Sequence, residues 1–239
     1  MNKFLFSFGL ILSVTITANA QFKDFLKKVE KTVLGEDISE LDASSALKQA
    51  LEIGTKEAVD KLSEENGYYD SPYKVLLPEE ARKVSDKLKF VPGFSDVEDK
   101  LVEKMNQAAE LAVTEATPIF VDAITDMTFS DAMNILLGEK NAATKYLEKS
   151  TYEKLYASFL PIIRESLDEV GARSYWREAT TAYNKIPFTS DVNTEIDDHV
   201  NQKALNGIFQ VIEKKEFDIR KNESSRETDL LRKVFAKQD

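Results

Sequence analysis

Residues 95–127 read SDVEDKLVEKMNQAAELAVTEATPIFVDAITDM, and this stretch decides the fold class. It opens with Ser95 and, three residues on, Glu98, the hydroxyl-then-carboxylate spacing of a capping box. Behind the box, Val97, Leu101, Met105, Ala108, Ala112, Ala116, Ile119, Ala123 and Met127 recur at intervals of 4, 4, 3, 4, 4, 3, 4 and 4. An apolar residue at every third or fourth position marks one face of an α-helix, whereas a strand alternates every second residue. The repeat averages about 3.67 residues per turn, so the predicted helix is nearly straight, with at most a slight right-handed coil. Four of the nine stripe residues are alanine, which implies thin packing and close neighbours. Pro118 lacks an N–H and frees the carbonyl of Thr114, so a kink is predicted there.

The same periodicity extends in both directions. Asp42 is a plausible N-cap for a helix to about Glu65, with Leu47, Leu51, Gly54, Ala58 and Leu62 on its apolar face. A glycine on that face costs about 1 kcal/mol against alanine, which close approach of another helix would offset. Asn66-Gly67 stops this helix. The next ten residues have no helical period and carry Tyr68, Tyr69 and Tyr73, read as plugs for the core edge in preference to a ligand platform. Pro78 suits a first helical residue, and Glu79 and Glu80 suit the positive end of the helix dipole; that helix should end near Pro92-Gly93.

Thr128 to Asp131 starts a further helix that Gly138 closes. Asn141 can cap a short helix from Ala142 to Lys149, and Ser150 to Glu153 forms a second capping box. The helix expected behind it carries Tyr152, Leu155, Tyr156, Phe159, Ile163, Leu167 and Val170, is kinked at Pro161 and ends at Gly171. Ala172 to Asn184 holds the only tryptophan, Trp176. A long helix from Thr194 to about Lys221 turns Ile196, Val200, Ala204, Ile208, Val211 and Ile212 inward, and a short terminal helix near Arg226 to Ala236 must dock on the body. No strand pair is visible. The fold class is therefore all-α, a single domain of eight to ten helices over residues 39–239, with two long helices kinked at Pro118 and Pro161.

Composition agrees. The chain has 239 residues, with 8 glycines and 6 prolines, about half the usual Gly plus Pro share of roughly 12% and too little turn punctuation for a many-stranded sandwich. There is no cysteine and one histidine, which removes disulfides, thiolate nucleophiles, Cys-based metal sites and His–His metal pairs. A formal net charge of −10 opposes nucleic acid and anionic lipid. Lys27-Lys28 and Lys214-Lys215 are doublets within mixed-charge helices.

Residues 1–20 differ from the rest. Lys3 is the only charge before Lys23, residues 4–17 are an apolar run, and Ala18-Asn19-Ala20 is a small-x-small site. This is the order of a cleavable secretory signal peptide, and the run is shorter than the ~20 residues a spanning helix needs. Gln21 rather than Cys would become the new N-terminus, so the expectation is a periplasmic protein that is not a lipoprotein and keeps no transmembrane segment. Residues 21–38 read as an amphipathic arm, with Phe22, Phe25, Leu26 and Val29 on one side and Gly35 ending the helix.

Chemistry-bearing motifs are sparse. Neither phosphate loop nor dinucleotide fingerprint is present, and there is no nucleophile elbow, H-E-x-x-H or EF-hand loop. His199, beside Asp197 and Asp198, reads as an exposed helix residue. Two Ser-x-x-Lys strings, Ser45 to Lys48 and Ser71 to Lys74, lack the companion elements their chemistry requires. Asp122, Asp126 and Asp131 could together hold a hard cation, but a solvated acidic face is the favoured reading. No catalytic residue, metal or cofactor is assigned.

The order of several strings is distinctive: Met105-Asn106-Gln107-Ala108-Ala109-Glu110, Pro118-Ile119-Phe120-Val121-Asp122-Ala123-Ile124, Met127-Thr128, Asp131-Ala132, Ile135-Leu136-x-Gly138, Ala142-Ala143-Thr144-x-Tyr146, Phe159-Leu160-Pro161, Val170-Gly171, Lys203-Ala204-Leu205-x-Gly207-Ile208-Phe209 and Arg226-x-Thr228-Asp229-Leu230-Leu231. The chain resembles the exported bacterial family known as domain of unknown function 4197 over about residues 39–236. The resemblance implies a secreted or periplasmic helical protein and brings no assigned activity. Where the family's loop resembles Arg-Ile-Pro-Leu-Pro, this chain has Lys74 before Val75, Leu76, Leu77 and Pro78, a compact ammonium in place of a bidentate guanidinium.

Within these strings the polar members Lys74, Asn106, Asp122, Thr144, Tyr146, Arg226 and Thr228 are the candidate site. In the structural reading they cap helices and bridge the docked C-terminal helix, with an Arg226–carboxylate pair. In the functional reading some converge on a cleft between the two proline-containing helices. A non-enzymatic binding protein for an apolar small molecule or an envelope partner ranks first. A structural or assembly role ranks second, and a cofactor-free enzyme using carboxylates or tyrosines third.

Overall fold

The computed structural model describes residues 40–88, 97–169, 171–184 and 195–236. The expected signal peptide (1–20) and arm (21–38), Pro92-Gly93, Ser95 and Val170 lie outside them. Nine α-helices are formed among the described residues: α1 Glu40–Ser63, α2 Glu79–Leu88, α3 Val97–Val113, α4 Ala116–Thr125, α5 Phe129–Leu136, α6 Ala142–Glu169, α7 Ala172–Asn184, α8 Ile196–Lys221 and α9 Asp229–Phe235, with one 3-10 turn at Glu223–Ser225. None of these helices is long and apolar enough to cross a membrane.

Helices α1, α3, α6 and α8 form the centre. α8 packs on the other three, α3 lies between α1 and α6, and α4 and α5 fill the remaining space between α1 and α6. α7 leans on α6 and α8, α2 joins α7 to α3, and α9 docks on α1. α8 is buried on several sides, through Val200, Ala204, Leu205, Ile208, Phe209 and Ile212, as expected of a helix that is apolar over more than one stripe. Phe120 of α4 meets Phe209 edge-on, with ring centroids 6.1 Å apart and planes at 84°, the favoured arrangement of two ring quadrupoles.

The deciding stretch is two helices, not one kinked helix. α3 stops at Val113, short of Pro118, and Thr114 N–H and Glu115 N–H donate to the carbonyls of Leu111 and Ala112 three residues back. The tightened turn rotates α4 relative to α3. The eleven-residue stripe predicts Ile119 and Ala123 inward, but Phe120 and Ile124 take their place in the core, while Ile119 and Ala123 are half-buried. Pro118 itself is exposed.

A second correction concerns Ser150 and Thr151. Their box opens no helix, because α6 runs unbroken from Ala142 to Glu169 with Pro161 inside it. Both hydroxyls instead donate backwards: Ser150 Oγ to Tyr146 O at 2.8 Å and Thr151 Oγ1 to Leu147 O at 2.6 Å. This is the alternative use that Ser and Thr find inside helices. The box at Thr128 is formed, with Asp131 N–H on Thr128 Oγ1 at 3.2 Å and Thr128 N–H on Asp131 Oδ2 at 3.0 Å. Asn66 in the left-handed region (φ 62°) ends the turn after α1, and Gly171 (φ 69°) ends α6.

Candidate functional site

The first polar cluster sits where α6 begins. A helix start leaves N–H groups without intrahelical partners, and here a distant carboxylate takes them. Glu216, on α8, accepts from Ala143 N–H at 3.0 Å and from Thr144 N–H at 2.9 Å and Oγ1 at 2.8 Å. Its charge is balanced by Arg220 one turn on, whose Nε and Nη2 reach Glu216 Oε1 at 3.0 and 2.9 Å. The same guanidinium donates to Ile135 O at 2.9 Å at the end of α5. Arg226 repeats the device on α8 itself, donating to Ile219 O at 3.0 Å and Arg220 O at 3.1 Å, and Arg232 donates to Arg226 O at 2.7 Å. Thr228 caps α9, accepting from Leu231 N–H at 3.2 Å, and its hydroxyl donates to Gln49 Oε1 of α1 at 2.8 Å.

Beside this cluster lies a half-open apolar recess of about 30 Å³. Leu47, Leu51 and Gly54 of α1, Ile212 and Ile219 of α8 and Phe235 of α9 line it, with Glu216 and Arg220 behind and the Lys215 stem at one side. Lys215 pairs with Glu57 at the rim. Gly54 is buried but uncrowded: a Cβ built on it meets only Lys215 Cβ, at 3.8 Å, an ordinary van der Waals contact. The sequence pattern predicts close approach of another helix at Gly54, and α8 does come within van der Waals distance of a Cβ there, without the crowding that would exclude one. Gly207 is the true close contact, where a Cβ would stand 2.7 Å from Tyr68 Cε1.

The second cluster holds the tyrosine-bearing loop. Tyr68 is fully buried, its hydroxyl on Ala204 O at 2.7 Å. Burial pushes its phenol far above the ordinary range, with the nearby Glu110 charge adding to the rise. Glu110, on α3, takes the N–H of Tyr68 at 3.1 Å and of Tyr69 at 3.4 Å. Its burial raises its carboxyl above the usual range although these N–H groups pull the other way. Asn106 pairs with Val75 as a strand neighbour would, accepting its N–H at 2.8 Å and donating to its carbonyl at 2.9 Å. Lys74 Nζ stands 3.3 Å over the Tyr69 ring, a cation–π contact. His199 is half-buried rather than exposed, with Nε2 2.8 Å from Leu76 O.

The third cluster surrounds the start of α8. Arg164 donates to Asp197 Oδ2, Tyr156 to Asp198, and Gln202 to Asp198 at 3.0 Å. Burial pushes Asp197 up, but Arg164, its own backbone N–H and Arg173 outweigh that and hold its carboxyl below the ordinary value. Donation to Asp198 raises the Tyr156 phenol to about 12.

The seven candidate residues therefore do not converge. Thr144, Arg226 and Thr228 belong to the first cluster, and Lys74 and Asn106 to the loop. Asp122 is exposed on α4, and Tyr146 is half-buried, its phenol raised by burial and by Asp131 and Asp126. No group of three or more His, Asp or Glu positioned for a metal occurs among the described residues. Glu216, Arg220, Glu110, Asp197 and Asn201 escape a reading of the sequence. Glu216 had a signal: it continues the inward series Ile208, Ile212 on α8, and a charge in a core register needs a partner.

No curated protein and no solved structure matches the chain. One family does, described as Protein of unknown function (DUF4197), over residues 37–236. With nearly its whole length matched, the chain belongs to that family.

Proposed function

We propose that this chain is an exported, non-enzymatic binding protein whose recognition element is the recess over Gly54, and that its partner is an envelope protein presenting one apolar side chain. The setting, the periplasm, rests on the signal-like pattern of residues 1–20. The carrying observation is the glycine. Gly207 is explained by the Tyr68 ring, but nothing packed in the structure needs Gly54 to lack a side chain; the space it leaves is apolar, half-open and placed between three helices. A mid-helix glycine costs about 1 kcal/mol, and keeping that space is what the cost achieves.

Size selects between a small molecule and a protein. At about 30 Å³ the recess is a fifth of the roughly 150 Å³ dry cavity that accepts benzene, and far below the ~300 Å³ at which ligand pockets begin. It suits the tip of one inserted side chain. The Lys215–Glu57 pair at the rim offers both signs of charge to the surface around such a knob. The carboxylates and arginines that a catalytic reading would draw on are engaged in holding helix ends and the tyrosine loop.

The test is photo-crosslinking in the native host, with a benzophenone side chain at Lys215 or, as control, at exposed Thr117. A discrete adduct is expected from position 215 and not from 117, and Gly54→Leu, which fills the recess, should abolish it. An adduct indifferent to Gly54→Leu, or no adduct in a variant that circular dichroism shows to be folded, would sink the reading.

A further inference from the structure

Asparagine followed by glycine occurs twice in the chain, at Asn66-Gly67 and at Asn206-Gly207. This pairing is prone to lose its side-chain amide, because the glycine nitrogen has no neighbouring Cβ to crowd its attack on the asparagine Cγ. The structure gives the two copies different surroundings. Asn206 lies inside α8, where every peptide plane is held by hydrogen bonds to the turns before and after it. Asn66 lies in the turn behind α1, and there the fold calls for both residues. Its φ of 62° is in the left-handed region that asparagine tolerates better than most side chains. The next residue must be glycine, because a Cβ on it would stand 2.5 Å from Lys61 O and 2.8 Å from Leu62 O.

The same turn shields the pair it selects. The peptide unit between the two residues is pinned at both of its polar atoms: Gly67 N–H donates to Glu64 O at 2.9 Å, and Asn66 O accepts from Asp70 N–H at 2.9 Å. Ring closure requires this plane to turn until Gly67 N faces Asn66 Cγ, so both bonds must break first. Solvent reaches Asn66, which is exposed. What keeps the plane in place beyond its own two bonds is the tyrosine loop that follows, with Tyr68 and Tyr69 N–H on Glu110 and the Tyr68 hydroxyl on Ala204 O. Freeing the turn is a local event, whereas freeing Asn206 breaks the central helix; local openings are the more frequent.

We propose that Asn66 is a site of spontaneous covalent modification, closed while the tyrosine plug is seated and open when it lifts, whereas Asn206 stays closed as long as α8 is formed. Gly67 N attacks Asn66 Cγ, the Cγ–Nδ2 bond breaks, and the amide nitrogen takes the proton of Gly67 and leaves as ammonia. The five-membered imide then takes up one water. Opening at Cγ leaves an aspartate. Opening at the main-chain carbon leaves an isoaspartyl link, in which the chain runs through the former side chain and is one atom longer. No oxidation state changes. Either product adds a negative charge next to Glu64 and Glu65 in the chain. Gly67 has no slack for an added atom, so the isoaspartyl turn does not close again as it was, and a reversible lifting of the plug becomes permanent.

The test incubates the full-length protein at mildly alkaline pH, natively and in urea, and then digests it with trypsin. Cleavage after Lys61 and Lys74 releases residues 62–74, in which Asn66 is the only amide side chain, and cleavage after Lys203 and Lys214 releases residues 204–214 with Asn206. Mass spectrometry follows amide loss in each. In urea the two should convert at similar rates. In the native protein Asn66 should convert more slowly than in urea but faster than Asn206. Tyr68→Phe, which cuts the tether on Ala204, should raise the native rate at Asn66 roughly tenfold, as for one lost hydrogen bond, and leave Asn206 unchanged. Equal native rates at the two positions, a native rate at Asn66 as high as in urea, or a rate indifferent to Tyr68→Phe would overturn the proposal. Should that variant fail to fold, the native comparison of Asn66 with Asn206 decides alone.

Discussion

Replacing Gly207 by alanine adds a single methyl group where it has least room. Its Cβ would stand 2.7 Å from Tyr68 Cε1 and 3.3 Å from Tyr73 Cβ, whereas carbon atoms rest at about 3.5–4.0 Å. The ring is not free to move aside. Its hydroxyl is held on Ala204 O at 2.7 Å, its backbone N–H on Glu110 at 3.1 Å, and it is fully buried. Overpacking of this kind costs about 1–3 kcal/mol, and the helix regains about 1 kcal/mol from losing a glycine. The difference is a net loss of up to about 2 kcal/mol. Gly54→Ala is the control: with only Lys215 Cβ nearby, at 3.8 Å, it keeps the propensity gain and should stabilise by up to about 1 kcal/mol. Urea unfolding followed by far-ultraviolet circular dichroism reads both as midpoint shifts at constant slope. Tyr68→Phe cuts the tether on Ala204, so Gly207→Ala should cost less in that background, a coupling that a double-mutant cycle isolates. If Gly207→Ala gains stability as Gly54→Ala does, the account of the tyrosine loop as a rigid plug is wrong.

Two further outcomes are expected. Glu216→Ala strips the acceptor from Ala143 and Thr144 and removes the buried carboxylate that Arg220 pairs with one turn on; a loss of about 3–5 kcal/mol should appear in the same unfolding assay, and a loss below about 1 kcal/mol would mean the pair behaves as an exposed one. Tyr156 has its phenol raised from 10.0 to about 12 by donation to Asp198. The stability it contributes is whole below pH 10.0 and lost as pH rises through about 12. Tyr156→Phe should flatten that alkaline window, and tyrosinate absorbance of the variant should lack one of the parent's late-titrating phenols, among which Tyr68 and Tyr146 also stand.

The helices were legible because their cause is local. Stripes of Leu, Ile, Val and Ala at helical spacing, glycines at ends and a capping residue at Thr128 are each contained within a few neighbouring residues. The break at Thr114–Glu115 was less so. Pro118 marks the place, but whether a helix bends or divides depends on what the rotated half then buries, here Phe120 against Phe209. The box at Ser150–Glu153 misleads for a related reason: a hydroxyl followed by a carboxylate serves a helix start or a helix interior equally well, and only continuity with Ala142 decides. The polar clusters were the least legible. Thr144 and Arg226 could be picked out as polar members of apolar strings, and Arg226 finds its acceptor Ile219 O only seven residues back, yet the partner of Thr144 comes from another part of the chain, and no spacing rule connects Glu216 to an α6 start 72 residues earlier. Lys74 and Asp122 belong to other surfaces altogether.

The contacts that close this molecule reach far back along the chain. Tyr68 meets Ala204 across 136 residues, Arg220 meets Ile135 across 85, and Thr228 meets Gln49 across 179. Each reaches from α8 or the segment beyond it to an element made long before. A growing chain that has not yet produced residue 196 still lacks the Ala204 acceptor of its tyrosine plug, the Glu216 cap of α6 and the far wall of its recess, although α1, α3, α4, α5 and α6 can already pack on one another. Contacts of such long sequence separation are costly to close and late to form. A chain whose central helix comes in its last fifth is also a chain whose core is unfinished through most of its synthesis.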